Sequence, residues 1–505
     1  MNALRVVVLK PSKYGVDGYV ERFRRGFMPN STVPHLRSMT PASVGGVRCE
    51  VHAVDEYVET DLGYLALLER TPQTRTLLAL VGVQSHQFQR ALDLAALARS
   101  RGAASVIGGP HVMTCDTTPL HGRGVSFALA EAEQVWPEIL DDALAGPLRP
   151  VYRSERRWAP RLDPPVLVPP TPRALRRYVV PMLGVYPARG CPYRCNFCSV
   201  IHIAGRQVRS QPLATTLASL RAARAAGVRF VLFTSDNFNK YPQAAELLEA
   251  MIAEDLRIPF FVQCDAQVHQ QEELIARLAR AGCFQIFVGA ESFDRQALRA
   301  AHKLHNDPER YAQIVALCRA YGITSHFSNI LGFPGDTESG IRDHLAELRR
   351  LAPDVASFYV LTPIPGTEQY DEFLAEGRIE ERDLDRFDGT CVTWRHPRLS
   401  AARLGQLLFD GYRRFYSARH VFGRVAAARS GSALFAVAGY AGLSRLGALQ
   451  RRHPMAGGIL RVKRDRREDY LELRRRTFAM EQVPLPRSLA LSAEERAVNR
   501  NAKLG

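Results

Sequence analysis

The run Arg189-Gly190-Cys191-Pro192-Tyr193-Arg194-Cys195-Asn196-Phe197-Cys198 decides how this chain is read. Its three cysteines are spaced Cys-x3-Cys-x2-Cys, which folds a short loop around one metal cluster. A [4Fe-4S] cluster is normally held by four Cys, so a three-Cys loop leaves one iron open to a ligand that is not protein. With His202 four positions beyond Cys198, the same residues also spell a Cys3His zinc site of the kind found in structural modules. The surroundings weigh against zinc: a strand-like run, Val180 to Tyr186, leads into the loop, and a long βα pattern follows it.

That pattern runs from Pro181 to about Tyr370. Strands are expected at Leu183–Tyr186, Arg229–Thr234, Phe260–Cys264, Gln285–Val288, Ser325–Leu331 and Ser357–Leu361. Helices are expected at Ala214–Ala226, Ala244–Glu254, Glu272–Ala281, Pro308–Tyr321 and Ile341–Leu351. Six such units make a partial (β/α)6 TIM-like barrel, whose chemistry sits at the carboxyl ends of the strands. The Cys loop closes the first strand. Asp236 follows the second, Gln263 and Asp265 the third, Glu291 and Ser292 the fourth, and Asn329 and Gly332-Phe333-Pro334-Gly335-Asp336-Thr337 the fifth. Thr362-Pro363-Ile364-Pro365-Gly366-Thr367 closes the sixth. A glutamate in a barrel mouth needs a partner, which singles out Glu291, whereas Asp236 and Asp336 serve equally well as helix caps.

Taken with the strand ends, the Cys loop resembles that of the radical S-adenosylmethionine (SAM) superfamily. The resemblance implies a [4Fe-4S] cluster on Cys191, Cys195 and Cys198, with SAM on the fourth iron and its reductive cleavage to a 5'-deoxyadenosyl radical. It also implies SAM contacts from Asp236, Gln263, Glu291, Ser292, Asn329, Gly332 and Gly335, the Asp236 carboxylate accepting a charge-assisted hydrogen bond from the SAM amino group.

Residues 1–150 alternate differently. Strands at Arg5–Lys10, Val47–Val54, Leu77–Val83, Ala104–Ile107 and Val125–Leu129, with helices at Phe88–Arg101 and Glu133–Ala145, predict an open, parallel, doubly wound Rossmann-like sheet. Ligands of such sheets bind at the carboxyl ends of the strands, here the loops Gly82-Val83-Gln84-Ser85-His86 and Gly108-Gly109-Pro110-His111. On Val106-Ile107-Gly108-Gly109-Pro110-His111 and Ala130-Glu131-Ala132-Glu133-Gln134-Val135-Trp136-Pro137 the domain resembles the cobalamin-binding domain that precedes many radical SAM domains. The resemblance implies cobalamin contacts from Gln84, Ser85, Gly108, Gly109, His111 and Glu131. Two departures stand out. Ala130 and Ala132 replace the usual glycines and add methyl groups beside the nucleotide tail. There is also no Asp-x-His-x-x-Gly, which implies cobalt without a protein histidine. His86 and His111 are read as corrin contacts or, equally, as turn histidines.

The remaining segments frame these two. Ser12–Ser43 is read as a cover for the active site, residues 151–179, with six Pro, as a linker, 180–395 as the barrel, and 396–505 as a basic helical region. Leu384–Thr390 and Thr393–Pro397 resemble a post-barrel segment that closes the barrel's open side. The net charge of +16 is concentrated at the end, since residues 396–505 hold 22 Lys+Arg and 8 Asp+Glu. The run Arg461 to Arg467, broken by Asp465, reads as a solvated helix face. Gly431–Leu443 is apolar but short of the ~20 residues that span a bilayer, so it is a core or interfacial helix. Nine Cys and no amino-terminal apolar region point to a reducing cytoplasm.

The expected function is that of a cobalamin-dependent radical SAM enzyme methylating an unactivated carbon of a small-molecule or lipid-like substrate, with a flavodoxin or ferredoxin as electron donor. Two rivals remain open. One keeps the cofactors but oxidises or cyclises without methyl transfer. The other is a metal-bearing nucleic-acid-binding protein, against which stands the lack of any recognisable RNA-binding module. Membrane-surface contact through the basic tail is a further expectation.

Overall fold

Strands Met182–Val185, Phe230–Phe233, Phe260–Cys264, Cys283–Glu291, Thr324–Leu331 and Val355–Val360 pair side by side in chain order, all parallel. The computed structural model describes residues 2–501 apart from 429, 451, 455 and 456, so the last four residues of the expected helical tail lie outside the described residues. The first and last of the six strands do not pair with each other, which leaves the barrel open on one side. Side chains alternate along a strand. Leu183, Val231, Val262, Ile286, Phe327 and Ala356 therefore face outward and share one core with Leu220, Leu247, Ile275, Ile314 and Leu345 of the surrounding helices.

The amino-terminal sheet has the order Ser43–Val44, Val47–Asp55, Ala3–Lys10, Thr74–Leu80, Ala104–Gly108, Ser126–Ala128, Val151–Tyr152. All its pairings are parallel except the short hairpin at the first edge. Helix Ser85–Ser100 covers one face through Phe88 and Leu92, while Thr32–Met39 and Ala132–Ala145 cover the other through Leu36, Trp136 and Ile139. This is the doubly wound arrangement, with its chain reversal between Ala3–Lys10 and Thr74–Leu80.

Three segments differ from their sequence reading. Val151–Tyr152, at the start of the expected linker, is the sixth parallel strand of the sheet. Ser12–Ser43 does more than cover: its strand Arg22–Gly26 pairs antiparallel with Gly458–Val462 of the tail, while Ser31 reaches the first barrel strand, where any Cβ on Gly184 would overlap its hydroxyl. The basic run is not a solvated helix face either. It continues strand Gly458–Val462 into a turn, Arg461 pairs with Asp17 at 2.7 Å, Arg467 pairs with Asp385 at 2.6 Å, and Asp465 is buried between Arg22 and Arg90. The counter-charges lie 82 to 444 residues upstream, so much of the tail's basicity is met inside the protein.

Candidate active site

The loop bearing the three cysteines is fixed by contacts that leave its sulfurs available. Gly190 adopts φ +106°, and a Cβ there would sit 2.2 Å from the Gln207 carbonyl oxygen, so only glycine fits. The Gly190 N–H donates to Asp236 Oδ2 at 2.7 Å. Arg206 donates to the Pro192 carbonyl at 2.7 and 3.0 Å, Asn196 Nδ2 donates to the Ala300 carbonyl, and Tyr193 stacks on His305 with ring centres 3.5 Å apart. Asn237 Nδ2 donates to Cys191 Sγ at 3.0 Å. Burial pushes the Cys191 thiol up to about 12 and raises Cys195 and Cys198 as well, so the thiolate form needs positive charge beside it.

Cys198 does not share a zinc site with His202. The imidazole is pushed down to about 4, by burial first and then by Arg157. Among the described residues no group of three or more His, Cys, Asp or Glu side chains is placed to hold a single ion.

At the end of the fourth strand the register shifts between Gly289 and Glu291, and Glu291 takes φ +64°, a left-handed conformation that is costly for a side-chain-bearing residue. The bulge turns the Glu291 carboxylate into the mouth, where it accepts from Ser328 Oγ at 3.0 Å and pairs with Lys303 Nζ at 3.3 Å. Burial pulls the Lys303 ammonium down, but Glu291 and the Cys195 thiol reverse this and hold it above its usual range. Lys303 and Asn237 were not singled out in the sequence. Lys303 follows helix Arg295–Ala300, where no strand-end signal marks it.

The other expected SAM residues divide. Asp236 stands against the Cys loop, and Gln263 is half-buried near the end of the third strand. The Ser292 hydroxyl accepts the Asp294 N–H at 3.0 Å, a local turn contact. Asn329 is turned away from the mouth: its Oδ1 takes a hydrogen bond from His344 of the outer helix Glu338–Leu351 at 2.9 Å, because neighbouring Ser328 occupies the inward position. Gly332 adopts φ +87° and donates its N–H to Asp336 Oδ2, which burial pushes up to about 6. Gly335 has open space beside its Cα. These two glycines shape a turn.

Facing the Cys loop across the domain boundary, the amino-terminal domain opens into a slot of about 280 Å³. Leu36, Ala79, Val106, Trp136 and Ile139 line its depth. Gly82, Gly108, Gly109, Glu131, Glu133 and Arg189 line its mouth with Asp236. Gly109, at φ +131°, would place a Cβ 2.2 Å from the Val83 nitrogen. The Ala130 and Ala132 methyl groups are part of the wall and leave the slot open.

Glu131 accepts from Arg209 at 2.7 and 2.8 Å and from the Ala159 N–H at 2.7 Å, so its carboxylate is engaged across the boundary. Burial pushes the Glu133 carboxyl up, but Arg189 and His35 hold it well below the usual range. Arg189, two residues before Cys191, bonds Glu133 at 2.6 Å and so ties the slot's mouth to the cysteine loop. His111 is not part of the lining: it is buried, bonded to Ser85 Oγ at 3.0 Å, packed against the tilted Phe88 ring, and pushed down to about 3 by burial. Gln84 is exposed at the amino end of its helix, where it makes a capping box with Gln87. Thus Gly108, Gly109 and Glu131 meet at the slot, while Gln84, Ser85 and His111 do not.

Residues 185–348, from the first barrel strand through most of the fifth unit, match the family model described as Radical SAM superfamily. In that barrel segment the chain is similar to the radical SAM superfamily. Among its relatives is bacteriochlorophyllide d C-8(2)-methyltransferase of Chlorobaculum tepidum, 24% identical over 66% of this chain and 75% of the relative. Another is hopanoid C-2 methylase of Rhodopseudomonas palustris, 28% identical over 59% of this chain and 57% of the relative. The fold is shared with two solved radical SAM proteins. TsrM from Kitasatospora setae, determined with cobalamin and a [4Fe-4S] cluster, superposes with a TM-score of 0.57 at 19% identity over 74% of this chain and 78% of that one. OxsB, determined with aqua-cobalamin, does so with a TM-score of 0.59 at 14% identity over 89% and 72%.

The residues fit the radical SAM cluster. Three thiols sit on a loop braced by backbone and arginine contacts, with Asn237 aimed at one sulfur and the Lys303 charge close to another.

Proposed function

We propose that this radical SAM enzyme uses cobalamin to methylate an unactivated carbon of an apolar small-molecule or lipid-like substrate. The observation that carries the reading is the slot. It is apolar in depth, glycine-lined at its mouth, and open toward the Cys loop, which suits a cofactor with a flat polar head and a buried aromatic tail. When bound, the cluster with SAM supplies a hydrogen-abstracting radical, and methylcobalamin supplies the methyl group.

This chain's residues do the holding and shielding. Cys191, Cys195 and Cys198 ligate three irons. Asp236, Gln263 and Glu291 orient SAM, with Lys303 holding the Glu291 carboxylate in place through their 3.3 Å ion pair. Gly108 and Gly109 let the backbone approach the cofactor, and Trp136 and Ile139 exclude water from its tail. His111, committed to Ser85 and Phe88, is not offered to cobalt, in keeping with the missing histidine motif. The curated relatives named for bacteriochlorophyllide and hopanoid substrates support a large apolar substrate. A flavodoxin or ferredoxin is the proposed electron donor.

The test is protein purified without oxygen from cobalamin-fed cells, assayed for iron, cobalt and the SAM products. About four irons and about one cobalt per chain are expected, with both 5'-deoxyadenosine and S-adenosylhomocysteine formed on turnover. Iron without cobalt would mean that Ala130 and Ala132 mark a lost corrin site. 5'-Deoxyadenosine without S-adenosylhomocysteine would move the assignment to an oxidase or cyclase. Ala79→Phe offers a sharper check, because a phenyl ring would fill the slot from its lining. Cobalt content is expected to fall by about tenfold or more, the loss of the tail's apolar burial, with iron content unchanged. Full cobalt retention would refute the slot assignment.

A further inference from the structure

Helix Gly431–Gln450 is apolar on both faces. Its inward residues Ala433, Ala436, Val437 and Ala441 are buried, and Tyr440 packs on His326 inside the barrel. The positions that face solvent are 431, 434, 435, 438, 442, 445, 446, 449 and 450. Apart from Arg445 and Gln450, they hold only glycine, alanine, leucine and phenylalanine. Leu434 is 42% exposed, Phe435 37%, Leu446 38% and Leu449 83%. A surface helix of a globular protein carries polar side chains there, so this stripe is uncovered.

Helix Ala418–Ala427 packs beside it and adds Phe422, 75% exposed. Continuous exposed apolar surface of this kind marks a site of interaction. Its electrostatic setting is one-signed. Residues 396–450 contain eight Arg and a single acid, Asp410. Arg414, Arg419 and Arg445 are exposed, and none of them forms an ion pair among the described residues. A second copy of the chain meeting the same patch about a two-fold axis would set arginines against arginines. An anionic bilayer surface satisfies both parts, taking the apolar stripe into the acyl boundary and the guanidinium groups among phosphates.

We propose that helices Ala418–Ala427 and Gly431–Gln450 seat the enzyme on an anionic lipid bilayer, with Gly431–Gln450 lying along the interface. The helix has the length and composition to cross a membrane, but one face is already committed to the barrel, so it lies on the bilayer instead. The inference does not depend on the cofactor assignment.

The experiment is co-sedimentation of the full chain with phosphatidylcholine vesicles, with and without phosphatidylglycerol. Binding is expected on the anionic vesicles and is expected to weaken with salt. A Leu434→Glu, Leu446→Glu, Leu449→Glu variant should bind about tenfold more weakly or worse while keeping its iron content and thermal midpoint, since the three side chains point to solvent. Phe422→Trp should show an emission blue shift on the same vesicles and quenching by brominated lipid. If the wild-type chain stays in the supernatant, the proposal fails. Equal binding by the triple-glutamate variant would overturn it, as would a dimer in light scattering that this variant dissociates without any vesicle binding by the parent.

Discussion

Replacement of Cys191, Cys195 and Cys198 together by alanine is expected to remove all cluster iron and to reduce 5'-deoxyadenosine formation to background. The loss is complete, rather than graded, because thiolate sulfur is the protein's whole contribution to the cluster. The variant should still fold. The loop's shape rests on Gly190, on the Arg206 bonds to the Pro192 carbonyl, on Asn196 bonded to the Ala300 carbonyl, and on the Tyr193–His305 stack, none of which uses sulfur. An unchanged circular dichroism spectrum with no iron absorbance is therefore the expected pair of readings. Continued production of 5'-deoxyadenosine would sink the radical SAM assignment for this site.

That loop and the barrel around it were legible because both are local. Cysteine spacing is a short-range pattern, and each strand is a run such as Phe230-Val231-Leu232-Phe233 followed by a helix with its own apolar stripe. Glu291 was legible as a strand end, yet its bulge was not, and the bulge is what aims its carboxylate at Ser328 and Lys303. Asn329 shows the cost of reading strand ends without parity: one residue's shift moves a side chain to the other face of a strand, and Ser328 holds the inner one. Ser85 and His111 failed for a related reason, since a loop near a ligand site still has a side that packs inward. The tail's charge misled most. Arg461 and Arg467 find their acids at Asp17, Asp383 and Asp385, and no local pattern announces partners so distant in the chain.

The buried member of that tail, Asp465, carries the second prediction. Asp465→Ala is expected to destabilise the protein by about 3–5 kcal/mol, the usual cost of removing one partner from a buried ion pair. Arg90, fully buried, donates to Asp465 at 2.9 Å and to Glu56 at 2.6 Å, while Arg22, also buried, bonds Asp465 and lies 2.8 Å from Glu56. Without Asp465 two buried guanidinium groups share one carboxylate, and the tail loses one of its anchors to the amino-terminal domain. Asp17→Ala removes a partly exposed partner of Arg461 and Lys463 and should cost about 1 kcal/mol or less.

The same network sets an acid limit on stability. Burial pushes Asp465 up, but Arg90 and Arg22 bring it down to about 2, and Glu56 is likewise lowered by Arg90 and Arg22 against the effect of its burial. A carboxyl depressed in the folded state stabilises fully above its unfolded value, near 3.9 for Asp, and loses that contribution as pH falls through the folded one. Wild-type thermal midpoints should therefore drop between about pH 4 and 2 more steeply than those of Asp465→Ala. Parallel acid profiles for the two proteins, or equal midpoints for Asp465→Ala and Asp17→Ala at neutral pH, would show that the tail is held by its apolar contacts at Tyr470 and Phe478 instead.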